Sequence, residues 1–428
     1  MATLTSQESV RAGVWPQRWW RLFTFAFFFM MTMQIDKLNL SFMFVNSAFM
    51  EHFGLVGKPA LIGALTGGFL VTYGFCAVAW GPAIHRWGGR RMAVVGIVAW
   101  AAIMILHAYA TSYGQLLALR IVLGFVEACA IPLLAWFTAH WLPFDERARG
   151  QAPWTTGIGI GTVITPIFVI WLLTQMPWQT TFYIFAALPL IPLVLLLWLP
   201  DDPATASGMP AWEIEKIKRG TLTNELDALN LPERRVHTFF QTLSSYRVWL
   251  IGLMDLGATA GFYGLITFGP VYLVRMRGFP ATDMSYVLSG GSLVGAVCAI
   301  LLAIDSDRRK RRAWYGFGLF VAGALFLTAE LFVASPMGAA IALALASASS
   351  TPALVVIWSL THSVAERTTI ASTVGATAAV GIGLSGVINI AMGSLIAAHG
   401  NYAAGFLLVL VFYVIAAISS LVLALQRY

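Results

Sequence analysis

Long apolar segments alternate with short polar breaks along nearly the whole chain. Each segment has the roughly 20 residues that an α-helix needs to cross a bilayer. The pattern predicts twelve membrane-spanning helices with approximate bounds 20–48, 60–83, 92–111, 114–141, 150–174, 179–199, 246–274, 282–304, 313–334, 337–362, 369–397 and 401–425. The longest polar stretch divides them six and six, so we predict an N-terminal bundle (1–199), a linker loop (200–245) and a C-terminal bundle (246–428).

The composition supports a polytopic membrane protein. Of the 428 residues, 59% are hydrophobic and 11% are charged, whereas soluble domains carry about 25% charged residues. The net charge of +7 does not indicate a nucleic-acid partner, because the basic residues fall in short loops between apolar segments. No metal-ligand spacing of cysteines and no phosphate-binding glycine-rich loop is found in the sequence, so we expect no metal and no cofactor.

The distribution of lysine and arginine predicts the orientation in the membrane. Alternate breaks are rich in arginine, whereas the intervening breaks carry only Lys58, Arg275 and Arg277. We therefore expect both termini and the linker to face the cytoplasm, in a monomer embedded in a lipid bilayer. The stretch WPQRWW at 15–20 is expected to anchor at headgroup depth.

Short polar motifs recur about half a chain apart. His85-Arg86 follows the second segment and Asp307-Arg308 follows the eighth, while Glu146-Arg147 and Glu366-Arg367 follow the fourth and the tenth. This repetition predicts an all-α membrane protein in which two pseudo-symmetric six-helix bundles surround a central cavity.

Four charged residues lie deep inside two predicted spans of the first half. Asp36 and Lys37 are in the first segment, and Arg120 and Glu127 are in the fourth, seven residues apart and therefore on one helical face. A charge at the bilayer centre costs about 2.5–3.5 kcal/mol on insertion scales. The four residues therefore indicate a transport path, although an ion-pair network that only braces the first and fourth helices is the alternative.

The residues at 81–91, GPAIHRWGGRR, resemble the loop signature of the major facilitator superfamily. The run Arg120-x-x-Leu-Gly-x-x-Glu127-Ala-x-x-x-Pro132 is similar to the fourth helix of its anion:cation symporter family, and Asp36-Lys37-x-Asn39 to that family's D-R-x-N. The family includes bacterial permeases for sugar acids and the sialin-type carriers. Two positions depart from its pattern, because His85 replaces an aspartate and Lys37 an arginine.

The resemblance implies roles for individual residues. Asp36 and Glu127 are the expected proton-coupling acids, and Arg120 and Lys37 the cations that bind a substrate carboxylate, since arginine offers two parallel donors. In the empty carrier these acids and cations are expected to pair with one another. The remaining expected positions are Gln34, Tyr73 and Trp358 for substrate contacts, and Gly81, His85, Arg86, Gly88, Arg90, Asp307 and Arg308 for the gating loops.

The predicted function is therefore proton-coupled symport of a small organic anion, a carboxylate, by alternating access in a bacterial inner membrane. Two alternatives remain open: a pH-independent facilitator or anion exchanger, and a non-transporting membrane receptor. His140-x4-Asp145 matches an acyltransferase signature, but nothing else in the sequence supports an acyl-transfer site. We therefore do not expect an enzyme. Asp255 is either a further site of proton exchange or an acid exposed to water near the cytoplasmic end of its helix. Glu330 is expected to be exposed to solvent.

Overall fold

The computed structural model describes residues 16–143, 146–147, 149–229, 245–309, 311–364, 373 and 377–426. Of 221–229, 307, 308, 362 and 364 it describes the backbone only. All regular secondary structure in these ranges is helical, so the predicted all-α class is confirmed.

Twelve long helices follow in the predicted order. They are α1 (Gln17–Met43), α2 (Pro59–Trp87), α3 (Gly89–Tyr109), α4 (Tyr113–Trp141), α5 (Arg149–Gln175), α6 (Trp178–Trp198), α7 (Tyr246–Met276), α8 (Ala281–Ser306), α9 (Arg312–Phe332), α10 (Pro336–Thr361), α11 (Ala379–His399) and α12 (Tyr402–Leu425). In this part of the chain, α2 to α12 have both the length and the apolar composition to cross a membrane. The 27-residue α1 is long enough too, but Gln34, Asp36, Lys37 and Asn39 make it more polar.

The helix contacts obey the predicted internal repeat. In the first half α1 packs against α5, α2 against α4 and α3 against α6; in the second half α7 packs against α11, α8 against α10 and α9 against α12. The two halves meet where α2 packs on α11 and where α5 packs on α8. Advancing each helix by six positions exchanges these two contacts, which is what a pseudo-two-fold axis requires.

The helices pack tightly at one end of the bundle. We call the side where α1 begins the near side, and the side that holds residues 44–58 the far side. The far half of α1, residues 32–43, is buried on every face, as is 254–271 of α7 except for the half-buried Tyr263. Arg275 Nη2 also donates to Ser47 Oγ across the two halves, at 3.4 Å. The bundle is therefore closed on its far side.

Glycines allow α2 and α11 to approach each other on the far side. A methyl group at Gly67 would lie 2.4 Å from the backbone oxygen of Gly386, and one at Gly63 would lie 2.5 Å from that of Asn389. Nearer the other end, a methyl group at Gly81 would meet nothing within 4 Å. Small residues at such crossings let helix backbones pack closely within a membrane.

Replacing Gly67 by alanine should force α2 and α11 apart and open the far side. Thr66, next to Gly67 on α2, is buried. We expect a cysteine in the Thr66→Cys variant to react several-fold faster with a membrane-impermeant maleimide added to the far side when Gly67→Ala is also present. Gly290→Ala is the matched control, since its added methyl group meets nothing within 4 Å. Equal labelling rates in both backgrounds would contradict the tight-contact argument.

Candidate functional site

The two charged pairs of the sequence meet inside the first half. Asp36 and Lys37 lie in the far half of α1, and Arg120 and Glu127 lie in the first part of α4. α4 is interrupted immediately after Glu127, because Pro132 lacks the N–H that would bond to the carbonyl of Ala128. Glu127 therefore ends one helical segment close to the middle of the span.

Asp36 is held by two hydrogen-bond donors. Trp100 on α3 donates its indole N–H to one carboxylate oxygen, and Asn39 donates to the other at 2.5 Å. Asp36 and Asn39 are fully buried, and Trp100 is 1% exposed. Sequence reasoning did not find Trp100, because a tryptophan in an apolar span looks the same whether it packs or donates.

Arg120 and Glu127 are buried without such partners. Each is 1% exposed. Within the described residues, Arg120 Nε and Nη1 have no hydrogen-bond partner, and no donor reaches either carboxylate oxygen of Glu127. The Glu127 carboxyl group lies beside that of Asp36, so the two can share a hydrogen bond only when one of them carries a proton. Buried charged groups are normally paired, because an unpaired one keeps its full desolvation penalty. These two residues are therefore held in an unsatisfied arrangement.

The cations rest on aromatic rings. Lys37 Nζ lies 3.7 Å from the centre of the Tyr73 ring, and the Arg120 guanidinium carbon lies 4.8 Å from the centre of the Phe69 ring. The four charged residues interact electrostatically, yet no ion pair joins them in the parts of the chain that are described. The acids and cations therefore form no direct ion pair in this conformation, in which the cations contact ring faces. The expectation that they pair in the empty carrier stays a prediction.

The other predicted substrate positions, Gln34 and Trp358, have different environments, and the second half adds Tyr263. Gln34 is 4% exposed and donates its amide to Thr162 Oγ1 of α5, at 3.1 Å. Trp358 is half-buried on α10. Tyr263 on α7 faces the group from the second half, within electrostatic range of Lys37 and Glu127.

A family model for the Major Facilitator Superfamily matches residues 22–385. The chain belongs to this superfamily. Its relatives include the protein named "Probable sulfoacetate transporter SauU" of Cupriavidus necator, 26% identical over 386 residues that cover 87% of this chain and 86% of the relative. The D-galactonate transporter of Escherichia coli is 23% identical over 288 residues, covering 67% of this chain and 65% of that protein.

Solved structures agree on the fold. A crystal structure of a bacterial homolog to the human lysosomal transporter Spinster superposes with a TM-score of 0.73, at 19% identity, over 97% of this chain and 98% of that one. The predicted fold and superfamily are thus confirmed.

The superfamily loop signature is placed as a turn between α2 and α3. Gly88 adopts φ +86°, and a side chain there would collide with Asp201, whose carboxylate accepts from the backbone N–H of Arg90 at 2.6 Å. Asp201 thereby caps the start of α3, where a negative charge is favourable. Gly88 and Arg90 serve this turn in the present conformation.

The remaining loop positions face open space. His85 and Arg86 are exposed, and within the described ranges neither has a hydrogen bond or ion pair to the second half. Gly81 is also exposed. The side chains of Asp307 and Arg308 lie outside the described residues. Gating by these loops stays a prediction.

Two acids of the second half are not solvated. Glu330 is fully buried and accepts hydrogen bonds from Tyr272 at 2.5 Å and from Arg277 at 3.2 Å. The expectation that it is solvated is wrong, because its carboxylate is enclosed by the protein and bonded to Tyr272 and Arg277, which begin and follow the π-helical turn Tyr272–Met276. Asp255 is 2% exposed and lies against the backbone of Gly381, so it is not wet in this conformation.

A buried ion cluster joins the linker to the first half on the near side. Arg18 donates to Glu146 at 2.9 and 3.1 Å and to Glu213 of the linker helix Ala211–Leu229 at 3.2 Å. Glu213 also accepts the backbone N–H groups of Gln17 and Arg18 at the start of α1.

This cluster involves part of the segment 15–20 that is expected to anchor at headgroup depth; Trp15 lies outside the described residues, and the anchor stays a prediction. Arg18 is 2% exposed, and Trp19 donates its indole N–H to Glu146 at 3.0 Å, whereas Trp20 is 63% exposed. Burial raises the pKa of Glu146, but hydrogen bonds from Arg18 and Lys216 lower it by more, so its pKa lies below the usual range.

Arg18→Met should destabilise the protein strongly, because it leaves Glu146 and Glu213 buried without their cation. We expect a loss of about 3–5 kcal/mol, seen as a lower thermal unfolding temperature in detergent at pH 7. The pKa of Glu146 is lowered in the folded state. The stabilisation that this carboxylate contributes is therefore fully present above the ordinary carboxyl pKa of about 4, and it is lost as the pH falls from there through the lower folded-state pKa.

The control is Arg219→Met, which removes an exposed pair with Glu215 on the linker helix. An exposed pair at this helical spacing contributes about 0.3–0.5 kcal/mol. Similar unfolding temperatures for the two variants would contradict the stabilising role of the Arg18 cluster.

Proposed function

We propose that the protein carries a small organic anion, a carboxylate, across the membrane together with protons. The observation that supports this best is the pair of buried, unpartnered groups on α4: the Arg120 donors and the Glu127 carboxylate. A bracing network would be expected to pair its charges, whereas a site that exchanges partners must have groups left to be paired. The relatives whose names give sulfoacetate and D-galactonate as cargo carry organic anions, which agrees with a carboxylate-binding cation.

The charge balance of the site explains coupling. Asp36, Lys37, Arg120 and Glu127 are formally neutral together. Adding an anion leaves a net negative charge in a low-dielectric interior unless a proton enters as well, because buried charge is costly. Anion and proton therefore raise each other's affinity by the same factor.

Glu127 is better suited than Asp36 to exchange the proton. Protonation of Asp36 would disturb the hydrogen bonds from Trp100 and Asn39. Protonation of Glu127 disturbs no hydrogen bond among the described residues and lets its carboxyl group donate to the neighbouring Asp36 carboxylate. In this cycle Asp36 stays ionised near Arg120 while Glu127 gains and loses the proton.

The halves would rock about this site. The closed far side and the exposed near-side loop correspond to one end of an alternating-access cycle, in which 1–199 and 246–428 move as two bundles joined by 200–245. The arginine-rich near side would be cytoplasmic, in a bacterial inner membrane.

Proteoliposomes with an imposed pH gradient test the coupling. Accumulation of sulfoacetate or D-galactonate that follows the gradient supports it, and uptake that ignores the gradient indicates a facilitator or exchanger.

Arg120→Ala should reduce carboxylate affinity by about 100-fold or more, since the anion loses its paired donors. Arg120→Lys keeps the charge and loses the fork, so we expect an intermediate affinity. Isothermal titration of the purified protein measures both, with unfolding temperatures checked in parallel. Unchanged affinity in a folded Arg120→Ala variant would remove the clamp role.

Glu127→Gln should still bind the anion and exchange it between two equal pools, because glutamine keeps the shape and carries no charge. It should fail to concentrate the anion when a pH gradient is imposed. The measurement is paired counterflow and gradient-driven uptake in the same proteoliposomes. Normal accumulation by this variant would show that Glu127 is not the coupling site.

A further inference from the structure

Two stacked rings on α2 lie beneath both cations. Phe69 and Tyr73 are one helical turn apart, with ring centres separated by 6.0 Å and planes inclined by 23°. Arg120 lies over the first ring and Lys37 over the second. The rings are 1% and 4% exposed, and a cation–ring contact is strongest when water is excluded. We call Phe69 and Tyr73 the aromatic platform.

The platform is fixed to α4 by close backbone contacts. A methyl group at Gly124 would lie 2.5 Å from the backbone oxygen of Phe69. Two turns beyond Tyr73 on α2, Trp80 donates its indole N–H to the backbone oxygen of Phe125 at 2.8 Å. The rings are therefore held in a defined position relative to Arg120 and Glu127.

The platform competes with an acid for the same cations. Glu127 interacts electrostatically with both Lys37 and Arg120, yet it forms an ion pair with neither in the described structure. Both cations rest on neutral ring faces instead. A cation held by a ring leaves no unpaired negative charge behind when it moves away.

We infer that the aromatic platform holds Lys37 and Arg120 apart from Glu127 in the empty carrier, so that an incoming anion displaces neutral rings and not an internal carboxylate. This inference rests on the anion-carrying role proposed above. It makes Phe69 and Tyr73 positioning residues. Without the ring faces, the cations would turn to Glu127, and the anion would then have to break an ion pair.

The first test separates the ring of Tyr73 from its hydroxyl group. Tyr73→Phe keeps the ring, and Tyr73→Leu removes it. With sulfoacetate and D-galactonate as probes in isothermal titration, we expect Tyr73→Leu to bind roughly tenfold more weakly than Tyr73→Phe. Stepwise fluorination of the Phe69 ring, by incorporation of fluorinated phenylalanines at that position, weakens the ring face with little change of shape, so affinity should fall with each fluorine.

The second test asks whether Glu127 causes the loss. In a Glu127→Gln background no acid at that position can capture the freed cation, so Tyr73→Leu should cost little additional affinity there. A packing defect would instead cost the same affinity in both backgrounds, because independent effects add. Unfolding temperatures and monodispersity are recorded for every variant.

The outcomes separate this inference from the proposed function. Weak binding by Tyr73→Leu that the Glu127→Gln background restores supports the inference. Equal affinity of Tyr73→Leu and Tyr73→Phe, or an equal loss in both backgrounds, overturns the inference and leaves the proposed function intact. If the folded wild-type protein binds neither probe, nor any other carboxylate in a thermal-shift panel, the proposed function fails and this inference fails with it.

Discussion

The structure depends on the high free energy of an unpaired charge in a low-dielectric interior. Arg120 and Glu127 meet that condition on one helix, each 1% exposed and each with polar atoms that lack a hydrogen-bond partner in the described residues. Their neighbours reduce the penalty without removing it: ring faces attract the cations, and nearby charges of both signs bring the formal sum of the four groups to zero. A site in this state gains free energy from any ligand that completes the pairing.

One helix connects this chemistry to the shape of the protein. On one side α2 carries Phe69 and Tyr73 under the two cations, and on another it meets α11 through Gly67 and Gly386. A change in where the cations rest therefore acts on the same rigid element that forms a contact between the halves. Close glycine contacts have little room for gradual adjustment, so such an interface favours discrete arrangements.

The sequence predicted the features that follow from the free-energy cost of placing single residues in a membrane. It missed the contacts between residues that are far apart in the chain. Twelve spans and four intramembrane charges are visible because a bilayer penalises every polar residue, and the observed helices agree with the predicted bounds to within about five residues. The predicted start of the eleventh helix, at 369, lies outside the described residues. The partners of those charges are not visible. Phe69 and Trp100 look like ordinary apolar residues, and the contact of Arg18 with Glu213 joins positions 195 residues apart.

The two halves differ in the number of cations that lie deep in the bundle. From Val248 to Gln426 no lysine or arginine lies inside a described membrane-spanning segment apart from Arg275 and Arg312 near helix ends, whereas Lys37 and Arg120 both lie deep in the first half. Tyr263 and Trp358 present aromatic surfaces from the second half. In the proposed cycle the anion would therefore keep its counter-charges within one bundle while the halves rock. The second half would then select the cargo by the shape and polarity of its uncharged part, because its described spans place no cation deep in the bundle.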